Sequence, residues 1–185
     1  ESDVVICDAQ RGYESADRPV RSREIPEAER TAAIGRIPVV ITYLEMRRRP
    51  AHETVPQPPG KIALLRAQHM PVHLFRYLYR AIGAPLFWWE RCRMTDDAVA
   101  AIIHDPKVEL YLFHVDGCPA GYVEIDRRQD SIVNLNYLGL IPDFVGRGYG
   151  RYLLRQSVET AWLTDPGRRR AEICTHRHVG GTPRE

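Results

Sequence analysis

The residues with the clearest chemical potential are Gly146, Arg147, Gly148, Tyr149 and Gly150, three glycines alternating with larger residues. Alternating glycines let the backbone approach a ligand closely and aim successive N–H groups at one point. The turn falls between a β-branched run and an amphipathic one, so a helix start adds positive potential there. A phosphate or diphosphate is the natural occupant, and Arg147 can add a charge-assisted bond. Three readings compete. A Rossmann turn needs G-x-G-x-x-G after the first strand of a βαβ unit, whereas the spacing here is G-x-G-x-G and hairpin strands precede it. Glu172 stands where a ribose-binding acid would, but the order of elements argues against that role. A P-loop needs Gly-Lys-Ser/Thr, which is absent. The third reading is a glycine turn with no ligand.

Cys174, His176 and His178 form a Cys-x-His-x-His string with metal-ligand chemistry, but no fourth ligand is evident, and no metal is expected. The Arg168–Arg170 run reads as a solvated cluster. Cys7, Cys92, Cys118 and Cys174 are far apart and form no C-x-x-C pair, so a reducing cytoplasm is the expected location. A formal charge of +2 is too small to argue for nucleic acid or a membrane surface, and neither is expected as a partner. No apolar run approaches the ~20 residues that span a bilayer. The 185 residues, 44% hydrophobic and 27% charged, suffice for one domain with a real core.

The elements that must position these residues follow from periodicity. Residues 8–36 are mostly polar and of mixed charge and read as an arm or solvated helix, so 1–36 is taken as an N-terminal arm, expected to be disordered in whole or part. Ile37–Leu44 is β-branched and aromatic and reads as a strand. Arg47–Gly60 carries four prolines and reads as a linker. Pro71 opens a helix with Val72, Phe75, Leu78, Tyr79 and Ile82 on one stripe and Gly83 at its stop. Thr95 caps a second helix, which Pro106 closes. The period then changes from helical to alternating: Glu109–Val115, Ala120–Asp126 and Ile132–Leu140 are predicted strands, with Asp116-Gly117 as a hairpin turn. After the glycine turn, Gly150, Leu153, Leu154, Ser157, Val158 and Ala161 mark the buried side of a helix, and Arg170–Thr175 is one more strand. The order β, α, α, β, β, β, α, β predicts an α/β (α+β) layered fold with a mainly antiparallel sheet.

In that context the run from Leu138 to Leu154, LGLIPDFVGRGYGRYLL, resembles the acyl-CoA-binding motif of the GNAT superfamily of N-acetyltransferases. The family pattern is Arg/Gln-x-x-Gly-x-Gly/Ala after a strand that ends in a proline loop. Its two glycines correspond to Gly148 and Gly150, while its Arg or Gln falls on Val145. The resemblance covers roughly three-quarters of the chain and implies a mixed sheet flanked by helices.

The resemblance also implies a site. Acetyl-CoA would lie between the fourth and fifth strands, its pantetheine arm against the backbone of Leu138, Gly139 and Leu140. Its diphosphate would rest on the amides of Gly146 to Gly150. A small-molecule amine would attack the thioester directly, which calls for a base. The family's usual glutamate position falls on Asn134, which takes no proton at neutral pH. Glu124, on the neighbouring strand, is the carboxylate placed to stand in, beside Asn134. Asp126 is a second choice. Acceptor selectivity would come from the connection of the first two helices, here Phe87, Trp88, Trp89 and Glu90, although aromatics beside a helix are also ordinary packing.

A complete domain of this family continues past the fifth strand with a helix and two more strands, and only the polar segment 176–185 remains here. The reading is therefore a domain over 37–175 that lacks those elements, through a truncated or frameshifted gene, a fragment, or compensation from elsewhere. Val4–Cys7, or a second copy forming a homodimer, would then pair with the fifth strand's open edge. A catalytically silent domain that binds CoA or serves as an interaction module is the alternative function.

Overall fold

A computed structural model describes residues 4–8, 39–46, 49, 55–86, 88–130, 132–163 and 170–178. The strands are β1 (Val4–Asp8), β2 (Val39–Met46), β3 (Ile62–Arg66), β4 (Val108–Val115), β5 (Cys118–Asp126), β6 (Ile132–Leu140) and β7 (Arg170–His178). The helices are α1 (Val72–Gly83), α2 (Glu90–Arg93), α3 (Asp96–Ile103) and α4 (Tyr149–Leu163). All strands join one sheet in the order β1-β2-β7-β6-β5-β4-β3. From β3 to β6 it is antiparallel, and β6 and β7 are parallel. The fold is thus α+β with a mixed, mainly antiparallel sheet, as expected.

The front of the sheet is built by local signals. Asp116 and Gly117 both take positive φ, 49° and 85°, the conformation a tight hairpin between β4 and β5 requires. Asp116 also caps the neighbouring strand by accepting from the Lys61 amide at 2.8 Å. The second connection, between β5 and β6, is short, and the strands pair antiparallel as predicted.

The sheet's two faces carry two cores. On one face α1 and α3 pack Phe75, Leu78, Tyr79, Ile82, Val99 and Ile103 against Leu110, Tyr122 and Tyr137. On the other, Tyr149, Leu153 and Ala161 of α4 cover Phe113, Val123, Ile125, Val133 and Leu135. Each fully buried Val, Leu, Ile or Phe among them contributes about 1.5–3 kcal/mol.

The helices follow their predicted stripes with two differences. Pro71 is the residue before α1 rather than its first turn, with extended backbone. Gly83 is the last residue of α1, as expected. It is buried because Trp88 packs on it, its Cβ lying 2.6 Å from where a Gly83 side chain would start. Leu154, expected inside, is 39% exposed, and the buried face of α4 runs through Tyr149, Leu153, Ser157, Val158 and Ala161. Thr95 does cap α3, its Oγ1 accepting from the Ala98 amide at 3.3 Å.

The largest difference lies in the outer strands. The run read as the domain's first strand, β2, is not in the antiparallel front. It pairs antiparallel with β7 from Val39↔His178 to Met46↔Ala171, and β1 pairs with β2 in turn. The front edge is instead β3, a short strand the sequence reading left between a proline-rich linker and a helix. Strand β7 extends through His178, three residues into the segment read as a tail, and β1 lies within the segment read as an arm. The edge of β7 expected to be open is therefore paired within the chain.

Candidate active site

Strand β6 leaves its parallel neighbour partway along. It pairs with β7 only over Ile132–Leu135, opposite Arg170–Ile173, while on its other side it stays paired with β5 up to Leu140. Among the described residues, the β7-facing edge of Asn136–Leu140 therefore has no strand partner. The sheet opens there into a wedge whose floor is backbone. Leu138 and Leu140 send their side chains into the α4-side core, so they offer main-chain groups alone. Gly139 faces the other way, where a Cβ would run into the Ile82 side chain and come within 3.4 Å of the Trp88 ring.

From the open end of β6 the chain passes through the short helical turn Pro142–Phe144 to the glycine turn. Gly146 and Gly148 have φ of 82° and 84°, and Arg147 between them does not, so the backbone alternates in handedness. That alternation makes a concave nest of N–H groups. Val145 spends its amide on the Pro142 carbonyl at 3.1 Å, and its side chain is 62% exposed. Among the described residues, the amides of Gly146, Arg147 and Gly148 have no acceptor. The next amide with one outside the regular helix ladder is Tyr152, which donates to Gly148 at 3.3 Å. A Cβ added at Gly146 would meet nothing within 4 Å, and at Gly148 only Pro58 at 3.9 Å. Among the described residues, the space beside the Cα atoms of both glycines is open.

Tyr149 contributes to this cradle only through its amide. Its ring is buried in the α4-side core, and its hydroxyl donates to the Pro59 carbonyl at 2.9 Å. That bond ties the proline-rich crossover from β2 to β3 beside the cradle, and Arg49 ties its beginning to Glu159 of α4 at 2.6 Å. Arg147 is exposed.

Glu124 lies on β5 beneath the wedge, on the face shared with Tyr122, and is fully buried. Its Oε1 accepts from Arg91 Nη2 at 2.8 Å and from Asn136 Nδ2 at 3.0 Å. Burial pushes its carboxyl up, Arg91 and Asn136 pull against that, and the net position is above the ordinary glutamate range. The expected neighbour was Asn134, but a bulge in β6 overrides it. Glu124 is opposite Tyr137 and Ile125 is opposite Leu135, so Asn136 is the extra residue. Asn134 falls opposite Asp126, and Asn136 supplies the amide to both carboxylates, reaching Asp126 Oδ2 at 3.2 Å. Burial also pushes Asp126 up, yet the Arg128 side chain and backbone, with Asn136, outweigh it and hold that carboxyl below its usual range.

The connection after α1 divides its residues between core and surface. Phe87 lies outside the described residues. Trp88 is half-buried in a cluster with Tyr79, Tyr122 and Tyr137, at ring distances of 5.5, 6.3 and 5.0 Å. Trp89 is 56% exposed, with the Arg93 guanidinium 5.4 Å from its ring centre. Glu90 starts α2 and accepts from the Tyr137 hydroxyl at 2.7 Å. Burial, the contact with Tyr79 and the bond to Glu90 all push the Tyr137 phenol far above its usual value, so it stays protonated. Sequence reasoning missed Arg91, which looked like one of several surface arginines. It is only 7% exposed because its partner, Glu124, is inside. The side chains of Cys174, His176 and His178 lie outside the described residues, and among those described no group of His, Cys, Asp or Glu is arranged to hold a metal.

The pattern of the Acetyltransferase (GNAT) family matches residues 74–178, more than half the chain, and the protein belongs to that family. No curated protein matches it. Among solved structures, a GCN5-related N-acetyltransferase from Sphaerobacter thermophilus shares the fold with a TM-score of 0.58 and 17% identity, covering 80% of this chain and 46% of that one. An IAA acetyltransferase from Bacillus cereus matches at 16% identity and a TM-score of 0.40, over 55% of this chain and 58% of that one. A PaiA N-acetyltransferase from Thermoplasma acidophilum, in complex with coenzyme A, matches at 14% identity and 0.44, over 55% and 72%. The chain thus spans about half the length of the first two of these structures. Among the described residues, no helix is long and apolar enough to cross a membrane.

Proposed function

We propose that this chain is an N-acyltransferase that moves an acetyl group from acetyl-CoA to a primary amine. The observation that carries the reading is the wedge between β6 and β7, opening beside a glycine turn whose amides have no acceptor among the described residues. A pantetheine arm is an extended chain of amides, and the free edge of Tyr137–Leu140 can pair with it as a strand would. The amides of Gly146 to Gly150, at the dipole-positive start of α4, fit a diphosphate, and Arg147 stands beside them to add charge. Because Val145 replaces the family's longer polar residue, this grip rests on the backbone.

The thioester supplies an acyl carbon open to direct attack by a neutral amine. Trp88, Trp89 and Glu90 border the acceptor side, and Glu124, being fully buried, takes the amine's proton through an enclosed water, with Asn136 orienting the carboxylate. A carboxylate above the ordinary range is a better proton acceptor near neutral pH than a normal one, provided it is still ionised. Asn134, opposite Asp126, orients rather than accepts. The widely spaced cysteines fit a reducing compartment such as the cytoplasm.

The test is thiol release from acetyl-CoA across a panel of primary amines, with calorimetry of CoA alone. Gly148→Ala is expected to weaken CoA binding about tenfold, because a left-handed backbone costs an alanine about 1–2 kcal/mol and reorients the amides. Equal binding of ADP and CoA, or no turnover with any amine, would refute the reading.

A further inference from the structure

Both contacts of the Glu124 carboxylate fall on one oxygen. Oε1 takes Arg91 Nη2 and Asn136 Nδ2, while Oε2, equally buried, has no hydrogen-bond partner among the described residues. Arginine–carboxylate pairs are frequently joined by two parallel bonds. Here Arg91 uses one, and among the described residues its Nε is also buried without a partner, as is the Tyr122 hydroxyl two residues before Glu124. Native interiors rarely leave such atoms unmatched, and several in one place call for a ligand or water.

Arg91 is itself held from behind. Its amide donates to the Tyr79 hydroxyl at 3.3 Å, and its carbonyl accepts from Arg76 at 2.9 Å. Its guanidinium lies 5.5 Å from the centre of the Tyr137 ring, and the preceding residue, Glu90, is bonded to the Tyr137 hydroxyl. The short helix α2 is therefore fastened to α1 and β6, and from that fixed base the arginine reaches into β5.

We propose that Arg91 is a positioning residue for acyl transfer: its guanidinium fixes Oε1 of Glu124 and leaves Oε2 to an enclosed water that relays the amine's proton. This rests on the assignment of Glu124 as the base. Charged groups facing Glu124 are Arg91 from α2, Asp126 on its own strand and Arg128 just beyond. The phenols of Tyr79, Tyr122 and Tyr137 are all held above their usual values and stay neutral. After burial, Arg91 is the largest influence on Glu124 and opposes it, so its loss lets burial drive the carboxyl higher. A base works only when ionised, and its activity disappears as pH falls through its own value. The acidic limb of the rate must then move to higher pH.

The experiment compares Arg91→Lys, Arg91→Met and Glu124→Gln with the parent by two readouts. One is the titration of the Glu124 carboxyl-carbon NMR resonance, assigned by its loss in Glu124→Gln. The other is kcat from about pH 5 to pH 9 with acetyl-CoA and the best-turned-over amine of the panel. Both Arg91 variants are expected to raise the titration midpoint and the acidic limb together, by about one pH unit in Arg91→Met and less in Arg91→Lys, with KM for acetyl-CoA unchanged. Should Arg91→Met fail to fold by circular dichroism, Arg91→Lys decides, because it retains a charge. An inactive Glu124→Gln beside Arg91 variants whose acidic limb has not moved overturns the role of Arg91 alone. A Glu124→Gln protein with parental kcat removes the base itself, and this proposal with it.

Discussion

Two residues show how little room the wedge has for change. Gly139 is bare because Ile82 and Trp88 occupy the space a side chain would need. Gly139→Ala must push α1 off β6, a cost of about 1–3 kcal/mol that urea unfolding can read, accompanied by weaker CoA binding. Asp126 carries a pH-dependent contribution. Burial raises its carboxyl, and Arg128 and Asn136 more than reverse that, so its folded value is depressed. A depressed carboxyl contributes stability above its unfolded value and loses it as pH falls through the folded value. Asp126→Asn is thus expected to destabilise at neutral pH by no more than about 1 kcal/mol, since Arg128 is 40% exposed and screened by solvent. The urea midpoints of the two proteins should converge in acid, and a constant gap would show that the charge plays no part.

At the scale of elements, α4 must stay in register for the glycine turn to face the wedge, and its far end is held by a buried arginine. Arg127 donates to the carbonyls of Ala161 and Thr160 at 3.2 and 3.1 Å, and to Glu109 Oε2 at 3.2 Å. A cation on the last carbonyls of a helix also opposes the negative end of its dipole. Arg127→Met leaves the buried Glu109 with the half-exposed Arg66 at 3.6 Å and the Tyr111 hydroxyl at 3.2 Å, so a loss of about 3 kcal/mol is expected by denaturant titration. The bulge in β6 works on the same scale. Before it Val133 and Leu135 face α4, and after it Leu138 and Leu140 do. One inserted residue, Asn136, changes the parity of the strand. It brings Tyr137 to the α1 face, where it meets Glu90, and places an amide between two carboxylates.

For the whole molecule, the outer wall of the wedge depends on residues far away in sequence. Strand β7 has β6 on one side for only four residues, and β2 on the other for eight. Deleting residues 1–46 uncovers that edge. The expected results are a fall in Tm of about 5 °C or more and self-association by light scattering, because an unpaired edge recruits other strands. A monomeric deletion variant with the parental Tm would mean that the β2–β7 ladder contributes nothing. The homodimer expected through the edge of β7 meets β2 at that surface in this structure.

Much was decided locally and could be read from the sequence. Asp116-Gly117 can hardly avoid a hairpin, Thr95 with two acids behind it starts a helix, and a glycine-alternating turn before an amphipathic run makes an anion cradle. These depend on backbone sterics and nearest neighbours, which a linear string contains. Periodicity likewise located β5, β6, α1 and α4, and with them the face on which Glu124 lies. Three matters belonged to the tertiary structure alone. Which edge β2 would join was open, because a β-branched run carries no address for its partner. The bulge at Asn136 was invisible, since an extra residue in an alternating strand shows only when the opposite strand is present to count against. Arg91 looked like any other surface arginine until the fold placed a buried carboxylate in front of it, because pairing across a core is settled by distance in space.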